Sequence, residues 1–362
     1  MFDAYFIYFA LLAFLIISTW LYNKTDARSR KIILGFAVAI IYSIVLGLRY
    51  NVGTDYMAYM DIYNMQYFDD VEWGYALINE ILYNAGLPFP SIFILVAFFQ
   101  ILLFLKGVEK IDAKYLPYTV FFYFTTLYIF LSLNGLRQCL AFSIFVYSIN
   151  YIADKKLVKY ALTILLASTI HKSSLILLIL YFIINNDWLL KHRFVQIGCY
   201  IITFAFSLLF HDFIVNNAQF FFTIVGYANY ADGIDSLVEV SWGKEGSGLG
   251  IYFFAIIDFF IIWNITKYKS LISKNIVVAF YNLYFIGLIF ANIVAGTYFE
   301  RINIYFLHTR IVIYALFFYS LFKYDKSLLK KGFLITVIAV FIVFFYMGII
   351  NKASNCAPFQ FV

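Results

Sequence analysis

Long apolar runs fill the chain, and short polar stretches separate them at nearly regular intervals. A helix of about 20 residues crosses a hydrocarbon core about 30 Å thick, so runs of that length predict membrane spans. Backbone polar groups in lipid need internal partners, which leaves helices or a closed barrel. Barrel strands alternate apolar and polar positions. These runs do not, so they predict helices. Spans are expected at 3–22, 32–48, 90–106, 115–131, 137–153, 194–210, 249–266, 275–295, 302–322 and 332–350. Residues 160–185 read either as one span with His171-Lys172 at its middle or as two short ones, 160–170 and 173–185.

Charge separates those two readings. Cytoplasmic loops collect Lys and Arg. With the N-terminus outside, the inner connectors hold Lys24 to Lys31, Lys106 to Lys114, Lys155 to Lys159, Lys191 with Arg193, Lys267 to Lys274 and Lys323 to Lys331. That is nineteen of the 26 basic residues. A single span at 160–185 would place the last two groups outside and erase the asymmetry, so a hairpin is expected. The fold class is an all-α polytopic integral membrane protein of about twelve transmembrane helices. It forms one transmembrane domain over 1–362, with both termini expected outside.

Composition narrows the chemistry. The chain is 64% apolar, with 44 Phe and 32 Tyr, and leaves no stretch long enough for a soluble domain. The net charge of +6 is accounted for by the inner anchors, so no nucleic-acid partner is expected. Met1-Phe-Asp-Ala lacks the basic region of a cleavable signal, and the first span is expected to stay. Three scattered cysteines suggest no disulfide framework. The four histidines show no metalloprotease spacing, and Asp69-Asp70 reads as a solvated pair or a divalent-ion site. No metal and no cofactor is assigned. No phosphate-cradling glycine loop, nucleotide fingerprint or nucleophile elbow is present.

Polar residues concentrate in two segments expected on the outer side. Residues 49–89 form external loop 1, and the helical spacing from Trp73 to Tyr83 predicts a helix along the interface. Residues 211–248 form the other external loop, with an interfacial helix. Loops this long are more often functional than idle.

Within the first loop, Arg49-Tyr-Asn-Val-Gly-Thr-Asp55-Tyr56 offers a cation and a carboxylate. The guanidinium suits phosphate oxygens and the aspartate suits a sugar hydroxyl. The competing reading is an ion pair that orders the loop. Asn134-Gly-Leu-Arg137-Gln138 predicts a helix start facing outward, with Asn134 as N-cap and Arg137 adding charge for an anion. The alternative is a snorkelling arginine. His171-Lys172 at the hairpin turn lies short of the surface and must face protein or water; the histidine is either a proton shuttle or a satisfied buried imidazole. Glu300-Arg301 opens another inward-running helix, with Tyr305 and His308 on the face of Arg301. A buried Asp258–Arg310 pair is predicted, since an unpaired charge at that depth is costly.

Together these segments resemble the EpsG/Wzy family of polysaccharide repeat-unit polymerases. The match rests on Arg49 to Tyr56, Asn134 to Gln138, Lys155-Lys156 followed by His171-Lys172-Ser173, Glu300-Arg301 and Ala357-Pro358-Phe359. Family members often end in Pro-Tyr where this chain has Pro358-Phe359. The resemblance implies a GT-C-like membrane glycosyltransferase that needs no metal. It implies transfer of a glycan from undecaprenyl diphosphate to the terminal sugar of a new lipid-linked unit on the outer face of a bacterial inner (cytoplasmic) membrane. Donor and acceptor are then both undecaprenyl-diphosphate-linked oligosaccharides, within membrane lipid, and a chain-length regulator is a further candidate partner. In that scheme Asp55, His171 and Glu300 are the catalytic candidates. Arg49, Tyr56, Asn134, Arg137, Gln138, Lys172, Arg301 and His308 are the diphosphate- and sugar-binding candidates. Asp55 and His171 both remain as the base. Two rivals stand beside this reading: a flippase for the same lipid-linked sugar, and a membrane O-acyltransferase.

Overall fold

The computed structural model describes residues 4–69, 71–224, 249–294 and 300–362. It separates into two compact units, Met1–Asn185 with Ile311–Val362, and Asn186–Arg310. Among the described residues, seven helices are long and apolar enough to cross a membrane: Ala4–Lys24, Arg28–Gly47, Pro90–Glu109, Gly250–Lys267, Asn275–Ile293, Arg301–Tyr324 and Leu328–Ile350. Shorter apolar helices cover Leu157–Ile170, Lys172–Ile183 and Arg193–Leu209. The chain is thus all-α, with the multiple apolar helices of a polytopic membrane protein.

The first unit begins with α1 (Ala4–Lys24), α2 (Arg28–Gly47), α3 (Tyr56–Met65), α4 (Trp73–Asn84) and α5 (Pro90–Glu109). It continues through α6 (Leu116–Thr125), α7 (Tyr128–Asn134), α8 (Leu136–Ala153) and α9 (Leu157–Ile170). α5 is the centre, packed between α2 and α8, while α9 lies on α8 and α4 lies on α9. The expected span 115–131 is two helices bent by 67°. Leu127 between them sits in the left-handed region (φ 62°), which stops the helix with neither glycine nor proline present.

The hairpin has a short, tight second arm. His171 is extended (φ −153°, ψ 109°) after α9, and the chain returns as a 3-10 helix over Lys172–Ile179 and then α10 (Leu180–Ile183). The Tyr160 hydroxyl donates to the Leu177 carbonyl at 2.6 Å, and its ring lies 5.8 Å from Tyr181, holding the two arms together.

The unit has a lysine end and a polar end. At one end of α1, Tyr22 bonds Glu109, and the Lys31 and Lys106 ammoniums lie 5.8 and 5.6 Å from its ring centroid. At the other end, about 21 Å along the helix, the Tyr8 hydroxyl donates to the Cys356 carbonyl at 3.0 Å. The last helix of the unit (Leu328–Ile350) therefore delivers residues 351–362 to the polar end. There this tail meets the segment after α2: Tyr50 N–H donates to Gln360, Gly53 N–H to Asn355 and Val362 N–H to Leu48, at 2.8–2.9 Å. Phe359 is buried edge-on against Tyr8, which accounts for an aromatic ring there without a hydroxyl.

The second unit contains helices Arg193–Ile224, Leu249–Asn264, Asn275–Val294 and Glu300–Leu307. The first runs past residue 211, where a loop was expected to start, and residues 225–248 of that loop lie outside the described residues. The predicted Asp258–Arg310 pair is present at 3.9 Å, and Tyr284 donates to the other Asp258 oxygen at 2.7 Å. This second partner on the carboxylate lowers the cost of its burial.

Candidate functional site

The polar end is built around two arginines with opposite assignments. α2 ends at Gly47, leaving carbonyls without helical partners. Arg49 turns back to fill them. Nη1 donates to Leu46 at 2.7 Å, Nε to Val52 at 3.0 Å and Nη2 to Leu133 at 2.9 Å. Its guanidinium also stacks 4.0 Å above the Phe93 ring, and the residue is 1% exposed. Arg49 therefore clamps the ends of α2 and α7, and its fork is filled by protein. Three backbone carbonyls thus occupy the fork for which the sequence suggested diphosphate or Asp55. Tyr56, expected to contact ligand, is likewise buried, with its ring among Tyr50, Phe89 and Phe93.

Arg137 stands at the start of α8 and points to a different neighbour. Its Nη1 pairs with Glu72 Oε2, and its guanidinium lies 5.8 Å from the Tyr75 ring and against Tyr59. Glu72 precedes α4 and makes no cap bond to that helix. Its second oxygen, Oε1, instead takes the Lys172 N–H at 3.0 Å and lies 3.1 Å from His171 Nδ1. The carboxylate is 10% exposed, His171 21% and Arg137 23%. One acidic residue thus ties the start of α8 to the turn of the hairpin.

Burial works against the charge on Glu72, but hydrogen bonds from His171 and the Lys172 N–H, with Arg137 beside them, hold its carboxyl down at about 2. The folded value lies below the ordinary 4.5. The stability it contributes is therefore fully present above pH 4.5 and lost as pH falls through 2. Glu72→Gln is expected to lower the unfolding temperature in detergent at pH 7 and to have progressively less effect toward pH 3. An effect of equal size at both pH values would contradict an ionised, paired Glu72.

Gly74 sets the spacing that this contact needs. A Cβ at that position would sit 2.8 Å from the Thr169 carbonyl oxygen of α9. Gly74→Ala forces α4 away from α9 and is expected to cost about 1–3 kcal/mol of stability, read as a lower unfolding temperature. An unchanged transition would show that α4 and α9 do not touch there.

The remaining expected residues fall in three places. Asp55 is exposed, its backbone N–H donating to the Asn134 Oδ1 at 3.2 Å, and its charge acts on Tyr59, which contacts Arg137. Asn134 is the last residue of α7 and does not cap α8; its amide donates to Phe130 and Ser354 at 3.1 and 3.2 Å. It is a three-way tie among loop, helix and tail, and Gly53 (φ 102°) brings the loop to within reach of it. Gln138 is buried one residue beyond Arg137. Glu300, Arg301 and His308 belong to the second unit. There Arg301 is exposed while Tyr305, on the same helical face, is buried, and His308 marks the junction of two helices. The Glu300 side chain and Asp70 of the Asp69-Asp70 pair lie outside the described residues.

Glu72 and Tyr59 were not singled out from sequence. Glu72 is one acid among several in an acidic loop, and its place immediately before a helix start was its one distinguishing signal. No curated protein and no solved structure matches the chain. The family model for EpsG matches residues 32–361, which takes in the clamp, the Glu72 cluster and the tail, and the chain belongs to the EpsG family.

Proposed function

We propose that this chain polymerises lipid-linked repeat units. It transfers a growing glycan from undecaprenyl diphosphate to a sugar hydroxyl of a new unit at the polar end of the first unit, facing away from the cytoplasm. Membership of the EpsG family supports a polysaccharide-related, glycosyltransferase-like role. The observation that carries the finer reading is the convergence of Asp55, Tyr59, Glu72, Arg137 and His171-Lys172, from four separated segments, at the end opposite the lysine-rich connectors. Arg137 and Lys172 supply cationic charge for a departing diphosphate. His171 and Asp55 supply groups able to take the acceptor proton. Arg301 of the second unit is a further phosphate candidate, tested on its own by Arg301→Ala.

A deletion strain tests this reading against the flippase alternative. It is expected to accumulate single lipid-linked repeat units open to an impermeant label on the outer face of the inner membrane. Accumulation of units protected from that label would place the block before transfer across the membrane and overturn the polymerase reading.

A further inference from the structure

Glu72 makes the choice between the two candidate bases, and this inference rests on the polymerase reading. An ionised carboxylate has no proton to give. Its Oε1 already accepts from the Lys172 N–H at 3.0 Å, and its Oε2 takes Arg137. A hydrogen bond between Oε1 and His171 Nδ1, at 3.1 Å, therefore needs the proton on the histidine nitrogen. In a neutral imidazole the other nitrogen, Nε2, then carries a lone pair and no hydrogen. His171 is extended at the turn of the hairpin and keeps 21% exposure, so the ring is held at Nδ1 and remains partly accessible.

We propose that Glu72 is the positioning residue for His171, fixing the Nδ1–H tautomer so that Nε2 is the base that receives the acceptor's proton. In the transfer, the acceptor hydroxyl oxygen bonds to the donor's anomeric carbon while its proton passes to Nε2. The bond from that carbon to the phosphate oxygen breaks, and its electron pair leaves with the lipid diphosphate. The imidazolium then returns its proton to water. Arg137 contributes twice, as the second partner of Glu72 and as a cation beside the leaving group. Asp55 is exposed on the neighbouring loop, and with the proton going to His171 its role in this scheme is acceptor binding.

The first test reads the tautomer directly. The chain has four histidines, so full-length protein labelled with [15N]histidine in detergent or nanodiscs gives four imidazoles to resolve. His171, assigned by the signal lost in His171→Asn, is expected as the Nδ1–H tautomer in its neutral form. Glu72→Gln, whose amide both donates and accepts, is expected to abolish that bias. An Nε2–H tautomer in the wild type, or one unchanged in Glu72→Gln, overturns the proposal. The second test is rate. Glu72→Gln is expected to lower kcat about 10²-fold with little change in KM, and His171→Asn at least as much. Wild-type polymerisation with both variants at full rate would overturn the positioning role and leave the polymerase reading standing. Failure of the wild type on a verified repeat unit would remove the polymerase reading itself, while the tautomer result would still report on the Glu72–His171 link.

Discussion

Arg137→Ala is expected to abolish long polymer while the protein remains folded in the membrane. A donor aimed at charge that develops in a transition state contributes about 10²–10³ in rate in a water-poor site. Arg137 stands at a helix N-terminus, partly exposed, among groups from four segments. Its loss removes the cation and leaves Glu72 with the hairpin turn as its remaining partner, so both phosphate stabilisation and the pose of His171 suffer. A Lys at this position keeps a charge but loses the planar fork, and is expected to recover part of the rate. The measurement is the chain-length distribution of product from equal amounts of inserted protein. Normal-length polymer from Arg137→Ala would remove the residue from the chemistry and leave the Glu72 pair as structure alone.

Arg49→Ala has the largest expected effect on stability. Hydrogen bonds to charged groups contribute about 1.5–3 kcal/mol each, and Arg49 makes three to backbone carbonyls besides its stack on Phe93. Such contributions are not additive, and a loss of about 4 kcal/mol is expected for the variant. Arg49→Lys is also expected to fail, because a single ammonium cannot fill three carbonyls set out for a fork. Both variants should unfold at clearly lower temperature in detergent, with activity lost in step with the folded fraction. A variant that unfolds like the wild type but binds lipid diphosphate poorly would restore the ligand role first expected from the sequence.

The contrast between these arginines shows what the sequence could and could not convey. Apolar runs and lysine placement located the helical segments, because hydrocarbon thickness and the cytoplasmic bias act on each segment separately. The turn at His171 was legible for the same reason: one fewer crossing would have reversed the sign of every later loop. The pairing of Asp258 with Arg310 followed from the cost of charge at depth. The contacts that Arg49 and Asn134 make were not legible, because key partners are remote in sequence. The carbonyl of Leu133 and the tail at Ser354 to Val362 are joined to them only by packing. Glu72 was hidden by its neighbours, since Asp61, Asp69, Asp70 and Glu80 look the same in sequence, and only contact with His171 and Arg137 sets it apart. The bend at Leu127 had no glycine or proline to announce it.

The most direct test of the account is a polymerisation assay with the purified full-length protein and a single synthetic lipid-diphosphate-linked repeat unit. The products are resolved by size, with and without chelator. A ladder of products spaced by one repeat unit is predicted, retained in chelator and absent with Arg137→Ala. A verified native unit that yields no ladder, yet crosses between the leaflets of liposomes containing the protein, would contradict the account and turn the polar end into a transport site.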